Sequence, residues 1–249
     1  MSDRHQKIGI KQTIQRAWMD KTVQLMLAGM SETEIRAEMD AYLSVRKQSG
    51  GFGERGVSYK MALGLLASWF APDDELMIFR DDLLEIAKES PSGDWLPLHW
   101  AMMCAAYPFW FNVAKQTGRL LNLQDVITQP QIFNRLKEQY GDRETVSRNA
   151  RYTVRSMVAW NVIQETEKKG RYCKAASFPI TDMKVAALLI EAGLYALPEG
   201  KSSFTVLTNS PVYFPFQLPA LSGDNLQNVN SRIKISRYAL DDISVSLYS

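Results

Sequence analysis

Arg148, Arg151 and Arg155 are spaced to share one face of a helix. At about 100° per residue they fall in an arc of roughly 60°, while Val146, Ala150, Val154 and Met157 fall within roughly 80° on the other side. One face is then core. The other carries three guanidinium groups, with Ser147, Asn149 and Tyr152 beside them. A guanidinium contacts phosphate, or grips the O6 and N7 of guanine in a bidentate fork. Arg143 stands where the helix would begin, and free backbone N–H groups at such a start also favour phosphate. A second basic group follows in Lys168, Lys169, Arg171 and Lys174, which surround a Lys-Lys-Gly turn. From Gly141 to Ala175 there are eight Lys and Arg against four Asp and Glu, a local balance of +4 in a chain whose total is +2. The remainder is therefore slightly acidic, and a basic stripe on a near-neutral body is the footprint of phosphate-backbone binding. The bland reading of the same residues is a solvated helix face and an ordinary surface hairpin.

The elements that must position these residues are legible around them. Thr128-Gln-Pro130 is a helix start, with a capping residue and a proline close to the first helical position. Ile132, Phe133 and Leu136 keep the helical period, and Gly141 ends it. Asp142 opens the arginine-faced helix. After Trp160 the period stops, and Val162 to Thr166 and Tyr172 to Ala175 flank the glycine turn as a β-hairpin. Helix, short turn, helix, hairpin is the order of a winged helix-turn-helix, in which the second helix enters the major groove and the hairpin touches the backbone beside it.

The N-terminal part reads as helices. A loose apolar stripe covers Ile10 to Leu27, a capping box at Ser31 to Glu34 opens a helix through Ile35, Met39 and Leu43, and further helices follow Ser58 and Pro72. Pro91 to Asp94 breaks the chain. Thr181-Asp182 caps a short apolar helix to about Leu197, and Phe204 to Leu207, Ser210 to Pro219, Ile233 to Ile235 and Ile243 to Leu247 look like short strands and loops. The fold expected is mainly α: an N-terminal helical domain over 1–93, a central winged helix-turn-helix over 94–180, and a C-terminal helix with strands and loops over 181–249.

Composition excludes several classes. With 46% hydrophobic and 22% charged residues the chain is not disordered, and two cysteines, Cys104 and Cys173, do not make a disulfide scaffold. The first eleven residues are polar, without the apolar core of a signal peptide. The longest apolar stretch, Trp95 to Phe111, contains Pro97, His99 and Pro108 and reads as a buried helix. A soluble cytoplasmic protein with no membrane partner is expected. Gly51 to Gly56 matches G-x-G-x-x-G, but a charged segment precedes it where a dinucleotide site needs a strand. His99 lies between Trp95 and Trp100 as a core histidine, and His5 lies in a polar tail. No zinc spacing, nucleophile motif or P-loop occurs, so no metal, no cofactor and no catalytic residue are expected. The aromatic cluster from Trp95 to Phe111 reads as core, and Pro211 to Phe216 as either an interface or a strap on the body.

The stretch Leu98 to Tyr107, an aromatic helix, Thr128 to Tyr140, Asn149 to Met157 and Val162-Ile163 resembles the central part of the BrxA family of bacteriophage-exclusion (BREX) defence proteins. The resemblance covers about a quarter of the chain and lies in organisation and spacing. It implies a mostly helical, non-catalytic DNA-binding protein acting beside other phage-defence proteins. The expected partner is double-stranded DNA, held by Arg143, Arg148, Asn149, Arg151, Tyr152 and Arg155 on the helix and Lys168, Lys169, Arg171 and Lys174 on the hairpin. The alternatives are a protein–protein adaptor built on the same winged domain, and RNA binding.

Overall fold

A computed structural model describes residues 3–44, 58–91, 93–237 and 243–248. The Gly51 to Gly56 motif lies outside them. The protein is mainly α. Helices α1 (Arg16–Leu27), α2 (Glu32–Ser44), α3 (Ser58–Phe70) and α4 (Met77–Glu89) precede α5 (Leu96–Ala106) and α6 (Pro108–Leu121). Next come β1 (Val126–Thr128), α7 (Gln129–Tyr140), α8 (Glu144–Ala159), β2 (Ile163–Glu165) and β3 (Arg171–Lys174). The C-terminal region comprises β4 (Phe178–Pro179), α9 (Met183–Tyr195), β5 (Lys201–Ser203), α10 (Phe204–Thr208), β6 (Phe216–Gln217), α11 (Gly223–Val229), β7 (Ile233–Arg237) and β8 (Ile243–Leu247).

Among the described residues three small sheets accompany the helices. β1, β3 and β2 form an antiparallel sheet in that order, with Thr128 opposite Arg171 and Glu165 opposite Tyr172. With α6, α7 and α8 this completes the winged helix-turn-helix order. β4 pairs with β6 in parallel, and β5, β8 and β7 form a second antiparallel sheet.

The centre is α5, buried on every side from Leu96 to Ala105, as a helix that is apolar all round must be. It lies against α9, buried from Ala186 to Tyr195. The aromatic residues read as core are core: Trp110 packs tilted against Trp160, centroids 4.9 Å apart, and Trp100 meets Trp110 edge-on at 5.8 Å. The proline-aromatic segment is a strap on the body. Phe214 and Phe216 meet Trp100 at 5.8 and 5.9 Å. Its backbone comes so close to α6 that a Cβ on Gly118 would lie 2.0 Å from the carbonyl oxygen of Pro211. No helix among the described residues is long and apolar enough to cross a membrane.

Two sequence expectations are corrected. The stripe from Ile10 does not form one helix, because α1 starts only at Arg16. Ile10 and Ile14 are fully buried all the same. They belong to an irregular segment anchored to α8 and the residue after it through the backbone of Ile8 and Ile14. Ser156 Oγ accepts from the Ile14 N–H at 2.9 Å, Trp160 Nε1 donates to Ile14 O at 2.9 Å and Asn149 Nδ2 donates to Ile8 O at 2.8 Å. The second correction is Phe204 to Leu207, which is helical in α10, after the strand β5. Leu207 is buried with Phe204 half-buried three residues before it, whereas Val206 is 65% exposed. That is a helical period, not an alternating one.

One charged cluster locks the C-terminal region to the body. Glu191, fully buried in α9, accepts two bonds from Arg232, from Nε at 2.6 Å and from an Nη at 2.9 Å. Asn230 Nδ2 donates to the same carboxylate at 2.5 Å, and Arg232 also meets Asp82 of α4 at 2.6 Å. Removing one partner strands a charge without water. Arg232→Ala is therefore expected to lower the unfolding free energy by about 3–5 kcal/mol, read as a shifted midpoint in chemical denaturation.

Candidate nucleic-acid interface

α7 is opened by a complete capping box. The Thr128 N–H donates to Gln131 Oε1 at 2.7 Å, and the Gln131 N–H donates back to Thr128 Oγ1 at 3.4 Å. Ile132, Phe133 and Leu136 form its buried face. Gly141 closes it at φ 82°, ψ 157°, a region open essentially to glycine alone. The turn is three residues long, and Arg143 N–H bonds Gly141 O at 3.0 Å to start α8.

α8 has the two faces that its spacing predicts. Val146, Ala150, Val154 and Met157 are completely buried, and Arg148, Arg151 and Arg155 are exposed. Their surroundings differ. Arg148 meets Glu144 one turn earlier at a loose 3.9 Å. Arg151 lies over the ring of Phe133, 6.0 Å from its centroid. Arg155 has no carboxylate within ion-pair distance among the described residues. Arg143 is exposed, and its guanidinium donates to Tyr140 O at 2.9 Å, so it caps the end of α7.

Asn149 does not stand on the exposed face. It is 5% exposed, and its amide is spent on Ile8 O. Tyr152, half-buried, lines the same flank of α8 where the N-terminal segment crosses. Both side chains border the arginine face, and Asn149 holds the segment in place with its amide already bonded.

The hairpin is short and fixed. Gly170 takes φ 75° in the turn, Thr166 N–H bonds Arg171 O at 2.9 Å, and the Glu165 carboxylate accepts from Gly170 N–H at 2.7 Å. Gln129, the first residue of α7, donates its N–H to Gly170 O at 2.9 Å. The turn is thereby tied to the helix pair. Lys168, Lys169, Arg171 and Lys174 are all exposed, and none has a carboxylate within ion-pair distance among the described residues.

Two observations join the helix face to the hairpin. Arg151 and Lys169 line one depression with Gln129, Phe133 and Ser147. Tyr172 of β3 is also close enough to feel the arginines. Burial raises its hydroxyl pKa above the ordinary value and Glu165 adds to the rise, while Arg155 and Arg151 oppose it. Of the four acids of the region, Asp142 pairs with Lys137 at 2.7 Å and Glu144 meets Arg148, while Glu165 and Glu167 lie on the hairpin, where Glu165 accepts from the turn. The cations without an ion pair among the described residues are Arg151, Arg155 and the four of the hairpin, further along α8 than its first turn, and on the hairpin they outnumber the two carboxylates. Reading the sequence missed Lys11, which the N-terminal segment brings to the flank of α8. No local signal could have found it, because the contact joins residues far apart in the chain.

His99 and Cys104 lie in the core. His99 is fully buried, with Nε2 2.9 Å from Asp20 Oδ1 and its ring edge-on to Trp69. Cys104 is buried among apolar groups, and burial pushes its thiol pKa far up. No group of three or more His, Cys, Asp or Glu is placed to hold a metal among the described residues. No protein family, no curated protein and no solved structure matches the chain.

Two predictions follow from this geometry. A Cβ on Gly141 meets nothing within 4 Å, so Gly141→Ala tests the backbone alone. It is expected to cost about 1–3 kcal/mol of stability by thermal or chemical unfolding. For His99, burial depresses the imidazole pKa below its usual 6.5, with Asp20 only partly opposing. The unfolded chain then binds the proton more readily than the folded one, so stability falls as pH drops through about 6.5. The melting temperature should decline between about pH 7.5 and 5.5, and His99→Gln should flatten that decline. An unchanged slope in the variant would assign the decline to other groups.

Proposed function

We propose that the protein binds duplex DNA without catalysis, through the exposed face of α8 and the β2–β3 hairpin. The observation that carries this reading is the connected set of exposed cations, Arg151, Arg155, Lys168, Lys169, Arg171 and Lys174, with no carboxylate partner among the described residues. They are held on a helix and hairpin in the winged helix-turn-helix order. Unpaired surface cations are the groups that gain most from phosphate, because binding releases condensed counterions and breaks no existing ion pair. The arginines of α8 are placed to read base edges or phosphate, and the hairpin lysines to hold the backbone beside them. The resemblance to BrxA supplies a cellular setting for this reading, a component of a prokaryotic phage-defence system working with other proteins of that system.

If each of the six cations met one phosphate, log affinity would fall against log salt with a slope of about −5. Arg148→Ala, Arg151→Ala and Arg155→Ala combined are expected to abolish the gel shift of a duplex at low salt. The melting temperature should hardly change, since all three side chains are exposed. Undiminished binding by that variant would overturn the site. A wild-type protein without salt-sensitive binding to any nucleic acid would overturn the function. Capture of a stable protein partner would then favour the adaptor reading, and preference for structured RNA in competition would replace DNA with RNA.

A further inference from the structure

The arginine face of α8 is flanked by two grooves. One, between α7, α8 and the hairpin turn, is lined by Arg151, Lys169, Lys137, Ser147 and Gln129. The other lies between α8 and the N-terminal segment and is lined by Lys11, Gln6, Arg143, Thr145, Arg148 and Tyr152. Among the described residues no carboxylate lines either groove. At about 100° per residue, Thr145 and Tyr152 lie roughly 120° around the helix from Ser147 and Arg151. The two grooves thus run along opposite shoulders of one helix, with the arginine ridge between them.

The second groove has a fixed wall. Ile8 and Ile14, on either side of Lys11, are bonded to Asn149, Ser156 and Trp160, and Ile10 is buried next to it. The Lys11 side chain is exposed and has no carboxylate partner among the described residues. A helix with side chains is about 10–12 Å across, and the major groove is about 12 Å wide between its two phosphate strands. A helix seated there would present one shoulder to each strand.

We propose that the groove between the N-terminal segment and α8 seats the second phosphate strand of the duplex, with Lys11 and Arg143 as its cations, while Lys169 and the hairpin hold the first. This rests on the duplex-DNA reading above and extends the interface to a segment outside the helix-turn-helix. A ligand gripped from both shoulders is a double strand. A single strand would engage one groove only.

The test measures duplex affinity as a function of salt for wild type, Lys11→Gln, Lys11→Arg and Lys88→Gln. Lys88 lies on α4, which lines neither groove. Loss of one phosphate contact should weaken binding by about 3–10-fold, equally for duplexes of unrelated sequence, and reduce the salt slope by about 1. Lys11→Arg should restore both, and Lys88→Gln should change neither. Wild-type affinity and slope in Lys11→Gln would overturn the inference and leave the α8 reading standing. An equal loss in Lys88→Gln would overturn it as well, by assigning the effect to net charge. A wild-type protein that binds no duplex would remove both.

Discussion

The bonds that the N-terminal segment makes to α8 set the orientation of much else. Asn149, Ser156 and Trp160 stand along one side of the helix and its end, and between them they satisfy Ile8 O, Ile14 N–H and Ile14 O. These backbone groups are covered by protein and would cost free energy if left unpaired. Because the segment occupies that shoulder, and because Val146 to Met157 occupy the core face, a single sector of α8 remains for solvent. Arg148, Arg151 and Arg155 lie in that sector. Trp160, which closes the arrangement, is itself held by Trp110 and Trp100. The aromatic centre of the molecule and the presentation of the arginines are thus parts of one construction.

The hairpin extends the same rigidity. A loose turn of lysines would lose conformational freedom on meeting phosphate, and that loss offsets part of the gain. Here the turn is closed by Glu165 and anchored to α7 through Gln129, so the backbone that carries its cations is largely set in the free protein. Gly141 does the corresponding work between the helices, with a backbone conformation that holds the three-residue turn.

Features made by hydrogen bonds between near neighbours were legible in the sequence. The capping box at Ser31, the Thr128 and Asp182 caps and the Gly141 stop all act over two to four residues, and the residue types carry the signal. The two faces of α8 were legible for the same reason, since a helix fixes which residues share a side. What escaped was set by distant chain. Ile10 and Ile14 fit a helical stripe, but the backbone of Ile8 and Ile14 bonds to α8 and Trp160 instead of within a helix. Asn149 sits at the edge of the arginine arc, where only the arrival of residues 8–14 decides that it is buried. Phe204 to Leu207 is too short for its period to be distinguished without the core it faces.

Net charge was the least informative of the electrostatic quantities, because it counts paired and unpaired groups alike. The mildly acidic remainder of the chain holds many of its charges in pairs: Glu32 with Arg36, Glu38 with Lys21, Asp94 with Arg16, Glu75 with Arg4, Asp224 with Arg237. Such pairs project little field beyond their own neighbourhood, and salt at physiological strength screens exposed charges over about 8 Å. Arg151, Arg155 and the hairpin cations make no such pairs among the described residues, and on the hairpin four cations stand against two carboxylates, Glu165 and Glu167. A polyanion approaching the surface is therefore affected chiefly by what lies within a Debye length of the contact. There the balance is set by Arg151, Arg155 and the hairpin, not by the +2 of the whole chain.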